Sequence, residues 1–353
     1  MEAVSPITGD SFMQSDRQAK RKLAILLAIR DASRPLSSTK IVESLVDSGY
    51  DLSERTVRNY LTELDDEGLT ENQGKRGRSI TAAGLAELAA AGFLEKVAFL
   101  SAKIDRLTYR MGFDLPTRTG TVVVNTSVVR PKDLTAAWGE MAQVFAKGYA
   151  MGRLVSLLQP GEQVGATTIP PGYVGFCTVC SITVNGVLLK HGVPMRSRFG
   201  GLLELRGGVP TRFNEMILYE ATTIDPLEAF IRSGMTDYRG AVKTGNGLIG
   251  ASFREMPTES RDLVISVSDQ LARIGLGALL TVGRPGRPLF DVPVTEGRVG
   301  AIVIGGLNPI AILEEKGTRV ASYALSGLLE YNRLFPYTEV PERLRYSSAT
   351  TES

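Results

Sequence analysis

Histidine and cysteine are nearly absent from the chain: His191 is the one histidine, and Cys177 and Cys180 are the two cysteines. A zinc site built on several histidines and a four-cysteine cluster are therefore excluded within one chain. So is a disulfide framework, and any histidine-dependent catalysis falls to His191 alone. An excess of charge is missing too. Lys and Arg number 40 against 38 Asp and Glu, a net +2, so bulk charge points to no particular partner. No apolar run approaches the roughly 18 residues that span a bilayer. The start, MEAVSPITGDSFMQSD, has neither the basic end nor the apolar core of a signal peptide. These absences lead us to expect a soluble, cytoplasmic protein without a membrane partner.

What is present is ordinary for a globular chain, 43% hydrophobic and 22% charged over 353 residues, which is room for two or three domains. Residues 1–14 are polar and aperiodic, a tail. From Arg17 the pattern is helical, with Leu23, Leu26 and Leu27 on one face and Ile25 and Ile29 widening it. Pro35 ends that helix, and Ser37, Ser38 and Thr39 offer N-caps for the next, which carries Ile41, Val42, Leu45 and Val46 and stops at Ser48-Gly49. In the third, Ser53 reads as N-cap, and Val57, Leu61 and Leu64 face inward. Arg55, Thr56, Arg58, Asn59 and Thr62 are left facing outward. Arg and Asn near a helix N-terminus are the side chains that reach guanine and adenine edges in a major groove. Gly74–Thr81 follows as a short hairpin whose Lys75, Arg76 and Arg78 suit phosphates.

Three helices and a basic hairpin describe a winged helix-turn-helix over residues 15–92. The bland reading is a protein-interaction or RNA-binding module with solvated cations, but the order of parts favours DNA. A helix begins at Thr81 and a second is expected over Leu94–Met111, where Val97, Leu100, Ile104, Leu107 and Met111 form an a/d seam. Residues 93–112 are thus a linker packed on its own domain or a dimer helix; the pattern leaves both open.

The remaining chain repeats itself. In a single register Thr119-Gly120 meets Thr244-Gly245, Ser127 meets Ser252, Gly152 meets Gly277, and Val174-Gly175 meets Val299-Gly300. After one insertion Gly201–Glu204 meets Gly327–Glu330. Residues 113–345 are expected to be one regulatory domain of two pseudo-repeated halves, about 119–204 and 244–330, with a tail at 346–353. Each half holds a β-branched run, a helix, strands joined by Pro-Gly, and a last strand leading into a short helix. The fold class is therefore mixed α and β: a winged helix-turn-helix, then an α/β or α+β domain.

The turn from last strand to helix is the candidate site. Cys180-Ser181 in the first half matches Gly305-Gly306 in the second, and small residues ahead of a helix expose N–H groups to an anion. Close packing also selects small residues. Asn308-Pro309 looks like an N-cap with Pro at N1. Arg196 and Arg198 belong to the first half alone, so a small dicarboxylate would suit this region. Each arginine taken singly is as readily an ordinary solvated side chain. Cys177 and Cys180 fall on opposite faces of a strand, poor geometry for a disulfide. A Cys180–His191 dyad is disfavoured, because His191 belongs at the far end of the next helix.

The winged helix, the run Thr178-Val-Cys-Ser-Ile-Thr-Val-Asn-Gly-Val-Leu-Leu-Lys-His-Gly192 and Gly200-Gly-Leu-Leu-Glu204 together resemble the NrpR family of archaeal nitrogen-regulation repressors, from about Arg17 to Arg345. The resemblance implies a repressor that binds double-stranded operator DNA as a homodimer or larger homo-oligomer. It implies 2-oxoglutarate as effector, no other cofactor, and Thr178, Cys180 and Ser181 at or beside the effector site. Some members carry two regulatory domains; this chain has room for one bipartite domain. The rival class is an enzyme acting on a small carboxylic acid, with the winged helix as an autoregulatory appendage. Against it stand the lack of an acid/base pair near Cys180 and of any metal-ligand cluster.

Overall fold

The apolar spacing around Leu23 forms helix α1, Gly9–Asp31, in a computed structural model that describes residues 9–349 apart from 33, 48, 49, 51 and 278. The helix begins at Gly9 rather than Arg17, because nothing between them breaks a helix and extension costs little once a nucleus exists. Residues 1–8, and the Ser48-Gly49 stop, lie outside the described residues. Helices α2, Ser38–Asp47, and α3, Glu54–Asp66, follow, then strands β1, Thr70–Asn72, and β2, Arg78–Ile80, paired antiparallel. Ile25, Leu26, Ile29, Ile41, Leu45, Val57, Leu61 and Leu64 close one core in this first unit, residues 1–96. Leu36 bridges to Arg78 as a third short strand, and a Cβ at Gly77 would strike the Leu36 carbonyl.

Helix α4, Ala82–Arg110, ends the first unit and begins the second, residues 97–353. Two helices were expected here. The alanine run at 89–91 carries one through, at the roughly 1 kcal/mol that Gly92 costs. Leu100, Ile104, Leu107 and Met111 are all buried in the core of the second unit, so that part of the seam is spent within its own domain. The side chain of Val97 lies outside the described residues.

The second unit contains, in order, β3 Thr121–Val129, α5 Pro131–Ala146, β4 Leu154–Leu158, β5 Gln163–Val164, β6 Thr167–Thr168, β7 Val174–Val179, α6 Thr183–Lys190, β8 Arg196–Arg206, β9 Val209–Leu218, α7 Pro226–Arg232 and α8 Tyr238–Thr244. It continues with β10 Gly247–Pro257, α9 Arg261–Arg273, β11 Leu279–Val282, β12 Arg298–Ile304, α10 Ala311–Glu315, β13 Ala321–Glu330, β14 Phe335–Pro336 and α11 Val340–Ala349. Residues 346–349, expected as tail, continue α11. One sheet runs β13-β3-β7-β4-β14 and the other β11-β12-β10-β8-β9. Every pairing in both is antiparallel, which selects α+β over α/β.

The repeat is real, and the pairing explains its form. β8, from the first half, adds to β10 of the second, while β13, from the second, adds to β3 of the first. Each half lends its last strand to the other's sheet, so neither half holds a complete sheet alone. The pairs also fix the equivalences. Val124 opposes Val179 and Gly327, whereas Ala251 opposes Ile304 and Gly201. Val124 therefore answers to Ala251, and Ser127 answers to Arg254. The single register expected from the sequence, with Ser127 on Ser252, fails at this strand, where the pairing sets Ser127 on Arg254.

Candidate functional site

In the first unit the inward stripe of α3 turns Arg55, Arg58, Asn59 and Thr62 to solvent. Ser53 caps the helix: its Oγ accepts the Thr56 N–H at 3.2 Å and lies 2.8 Å from Thr56 Oγ1. These two residues serve the helix end first. Arg58 donates to Glu54 Oε1 at 2.7 Å and to Ser38 Oγ at 3.3 Å, but its side chain remains 66% exposed, so the pair is easily broken. Arg55, Asn59, Lys75 and Arg76 are exposed and have no side-chain partner among the described residues. Lys75 and Arg76 stand on the tight turn Gly74–Arg76 that joins β1 to β2.

Arg78 does not join them. Its Nε donates to Asp65 Oδ2 at 2.8 Å, with only 18% of its side chain exposed, and Asp65 also accepts the Thr70 hydroxyl at 2.5 Å. That carboxylate at the end of α3 fastens the wing to the helix. Arg78, half-buried like the rest of β2, is held against Asp65 and the end of α3.

In the second unit the two strand-to-helix turns come together. A Cβ on Gly306 would collide with the Val179 carbonyl and crowd Asn125 Nδ2. The turns are built alike: the Cys180 N–H donates to Val123 O at 2.8 Å and the Gly305 N–H to Gly250 O at 3.0 Å. Asn125 knits the centre. Its Nδ2 lies 3.5 Å from Thr178 Oγ1, and its Oδ1 accepts the Leu325 N–H at 3.1 Å from a bulge in β13 where Leu325 holds φ +49°. Thr178, Cys180 and Ser181 are all buried there. Asn308 is not an N-cap. Its side chain reaches back across the domain instead, and a short 3₁₀ turn, Asn308–Ile310, leads into α10.

Arg196 and Arg198 are not at this turn. Arg196 is exposed and pairs with Glu220 at 2.8 Å, while Arg198 pairs with the buried Glu255 at 2.7 Å and donates to Pro293 O at 2.9 Å. Sequence proximity to the turn misled, because β8 leaves the first half's sheet for the second. The cations that do approach are Arg254, bonded to Ser181, and Lys103, whose Nζ lies 3.5 Å from Ala324 O beside the β13 bulge that receives Asn125. Lys103 lies on a cavity of about 260 Å³, with Thr167, Asp225, Arg232, Tyr323 and Ser326 among its walls. Burial lowers the pKa of Lys103 and pushes the Asp225 carboxyl up to about 6. Arg254 is fully buried. It donates through Nη2 to Ser181 Oγ at 2.9 Å and Ser252 Oγ at 3.3 Å, and through Nη1 to Asn185 Oδ1. The one signal in the sequence was the charged pair Arg254-Glu255 inside an otherwise apolar strand.

Thiolate chemistry has no support in this geometry. Burial pushes Cys180 up to about 11, offset in part by the backbone N–H of Ile182 and Leu325, and burial pushes Cys177 up to about 12. His191 closes the far end of α6, its Nδ1 2.8 Å from Val187 O. Both cysteines are free, and no helix among the described residues is long and apolar enough to cross a membrane.

Residues 97–335 match the family model for NrpR regulatory domains NRD1 and 2, and residues 23–88 match the Ribonuclease R winged-helix domain. The chain is 31% identical over 320 residues to the global nitrogen regulator NrpRI of Methanosarcina mazei, covering 90% of this chain and 98% of that protein. It is 30% identical over 293 residues to the global nitrogen regulator NrpR of Methanococcus maripaludis, covering 83% of this chain and 51% of that one. A solved structure, a nitrogen repressor-like protein from Methanococcus jannaschii, matches with a TM-score of 0.55 over 67% of this chain and 97% of that chain. At 22% identity that is a likeness of fold.

Proposed function

The chain belongs to the NrpR family of transcriptional regulators, and from that membership we propose a repressor whose first unit binds operator DNA and whose second binds a small dicarboxylate, 2-oxoglutarate before others. Arg55, Arg58 and Asn59 would read base edges in the major groove, with Lys75 and Arg76 on flanking phosphates. In a homodimer two such helices enter successive major grooves roughly 34 Å apart. The dicarboxylate would lower operator affinity, and a useful switch needs a coupling of about 1–3 kcal/mol.

The observation that carries the effector half is the turn at Cys180-Ser181, where buried Arg254 bonds Ser181 Oγ at 2.9 Å and Lys103, on a cavity of about 260 Å³, lies 3.5 Å from Ala324 O beside the β13 bulge. Two cations near one turn suit an acid with two carboxylates. The experiment is binding of the full chain to its own upstream DNA, titrated with 2-oxoglutarate at fixed salt. Release that saturates, and that glutamate does not reproduce, supports the reading. Tight, sequence-selective binding indifferent to every dicarboxylate would remove the effector and leave the DNA assignment; binding without sequence preference would remove the latter.

A further inference from the structure

We propose that Glu54 reads the operator together with Arg58, its free oxygen accepting an N4 amino hydrogen of a cytosine while Arg58 takes the acceptors of a guanine. Over other bases the two side chains stay paired with each other. This role rests on the DNA reading above and adds to it an acidic reading residue and the base that it selects.

Glu54 opens α3, directly after the Ser53 cap, and its side chain is 41% exposed. The first residues of a recognition helix are those that reach base edges. All bonds to the Glu54 carboxylate fall on one oxygen. Oε1 accepts an Arg58 Nη2 hydrogen at 2.7 Å, the Ser38 hydroxyl at 2.8 Å and the Thr39 hydroxyl at 3.4 Å. Oε2 has no partner among the described residues. Ser38 and Thr39 begin α2, so the neighbouring helix still holds the carboxylate after Arg58 departs. The bonds from Ser38 and then Arg58 keep the carboxyl below its ordinary range, so it is ionised and can only accept.

A carboxylate in that position works against DNA unless a base uses it. It repels phosphates and offsets the attraction of Arg58 for them. Only a base that presents a hydrogen in the major groove favours it, and two do: cytosine through N4 and adenine through N6. Adenine sets the N7 lone pair beside N6, where a second carboxylate oxygen is repelled. Cytosine has no such acceptor next to N4. Arg58, one turn along, suits guanine O6 and N7, so a site with both bases exchanges one exposed ion pair for two base contacts. Further along α3, Glu63 and Asp65 are bound to Lys22, at 2.8 Å, and to Arg78, also at 2.8 Å. Glu54 is the acid in the first turn of the helix.

The test selects binding sites from a randomised duplex library with the full chain, as wild type, Glu54→Ala, Glu54→Gln and Ser38→Ala. Anisotropy then compares the selected site, its single-base variants and unrelated DNA. Wild type should require cytosine at one position, with a loss of about tenfold on exchange. Glu54→Ala should lose that requirement alone and bind unrelated DNA no more weakly than wild type. Glu54→Gln should move the preference there from cytosine to adenine, whose N6 and N7 suit an amide. It keeps the shape and an acceptor for Ser38, which carries the test should the alanine variant not fold by circular dichroism. Ser38→Ala should weaken the cytosine preference without moving it. Folded Glu54 variants that keep the wild-type preference at every position would overturn the role of Glu54 and leave the DNA reading standing. An equal loss on every sequence would overturn it too, since Glu54 would then serve the fold alone. A wild type that selects no sequence would sink the DNA reading and this role with it.

Discussion

Asn308 does in the second half what Thr183 does in the first. Asn308 Nδ2 donates to Gly250 O at 2.8 Å and Thr183 Oγ1 to Val123 O at 3.1 Å, the same two carbonyls that accept the Gly305 and Cys180 amides. Unrelated side chains thus make one bond at one place in each repeat. Asn308 also donates to Tyr149 O at 2.7 Å, tying the second turn to the first half. Asn308→Ala should therefore cost about 1–3 kcal/mol, and Thr183→Val nearer 1 kcal/mol. Denaturant unfolding measures both; an equal or reversed order would mean that the Tyr149 bond contributes nothing.

The wing cations separate by role. Lys75→Ala and Arg76→Ala should each reduce the salt dependence of DNA binding by about one unit of slope, across all sequences. Arg78→Ala should leave that slope alone and lower the stability of the first unit, because it unpairs Asp65. Anisotropy against salt, beside thermal melts, distinguishes them. A salt slope reduced in Arg78→Ala would return that residue to the DNA surface.

On the recognition helix, Arg55→Ala and Asn59→Ala should each cost about 1–3 kcal/mol on the chain's own operator and much less on unrelated DNA. Arg58→Ala should cost less than Arg55→Ala, since Arg58 must first leave Glu54. Equal losses on specific and unrelated DNA would make these phosphate contacts.

Asp225 sets a pH dependence of known sign. Its carboxyl titrates near 3.8 when unfolded and at about 6 in the fold, raised first of all by burial. The folded state holds that proton longer, so its contribution to stability is greatest below 3.8 and is lost as pH rises to about 6. Asp225→Asn should flatten the stability curve across that window. A curve with unchanged slope there would place the titration elsewhere.

Glu140 acts in the opposite direction. Hydrogen bonds from Lys316 and then Arg239, at 2.8 Å each, hold its carboxyl at about 2. The stabilisation is present above 4.5 and is lost as pH falls towards 2. Glu140→Gln should cost ~1 kcal/mol at neutral pH, since the pairs are partly exposed, and nothing at pH 2. A loss that persists undiminished in acid would assign it to packing rather than charge.

Much of this protein was legible in its residues. Val57, Leu61 and Leu64 fixed the rotation of α3, and with it the outward face of Arg55 and Asn59, because helical periodicity is local. The repeat was visible as well, since related halves keep their glycine and proline turns. Only the tertiary structure decided which cations meet which turn. Strand exchange carries Arg196 and Arg198 away from Cys180, the packing of the two halves brings Arg254 to Ser181, and the pairing of the wing sets Arg78 against Asp65. Strand pairing joins residues far apart in the chain, and no local spacing records which strand it will choose or in what register.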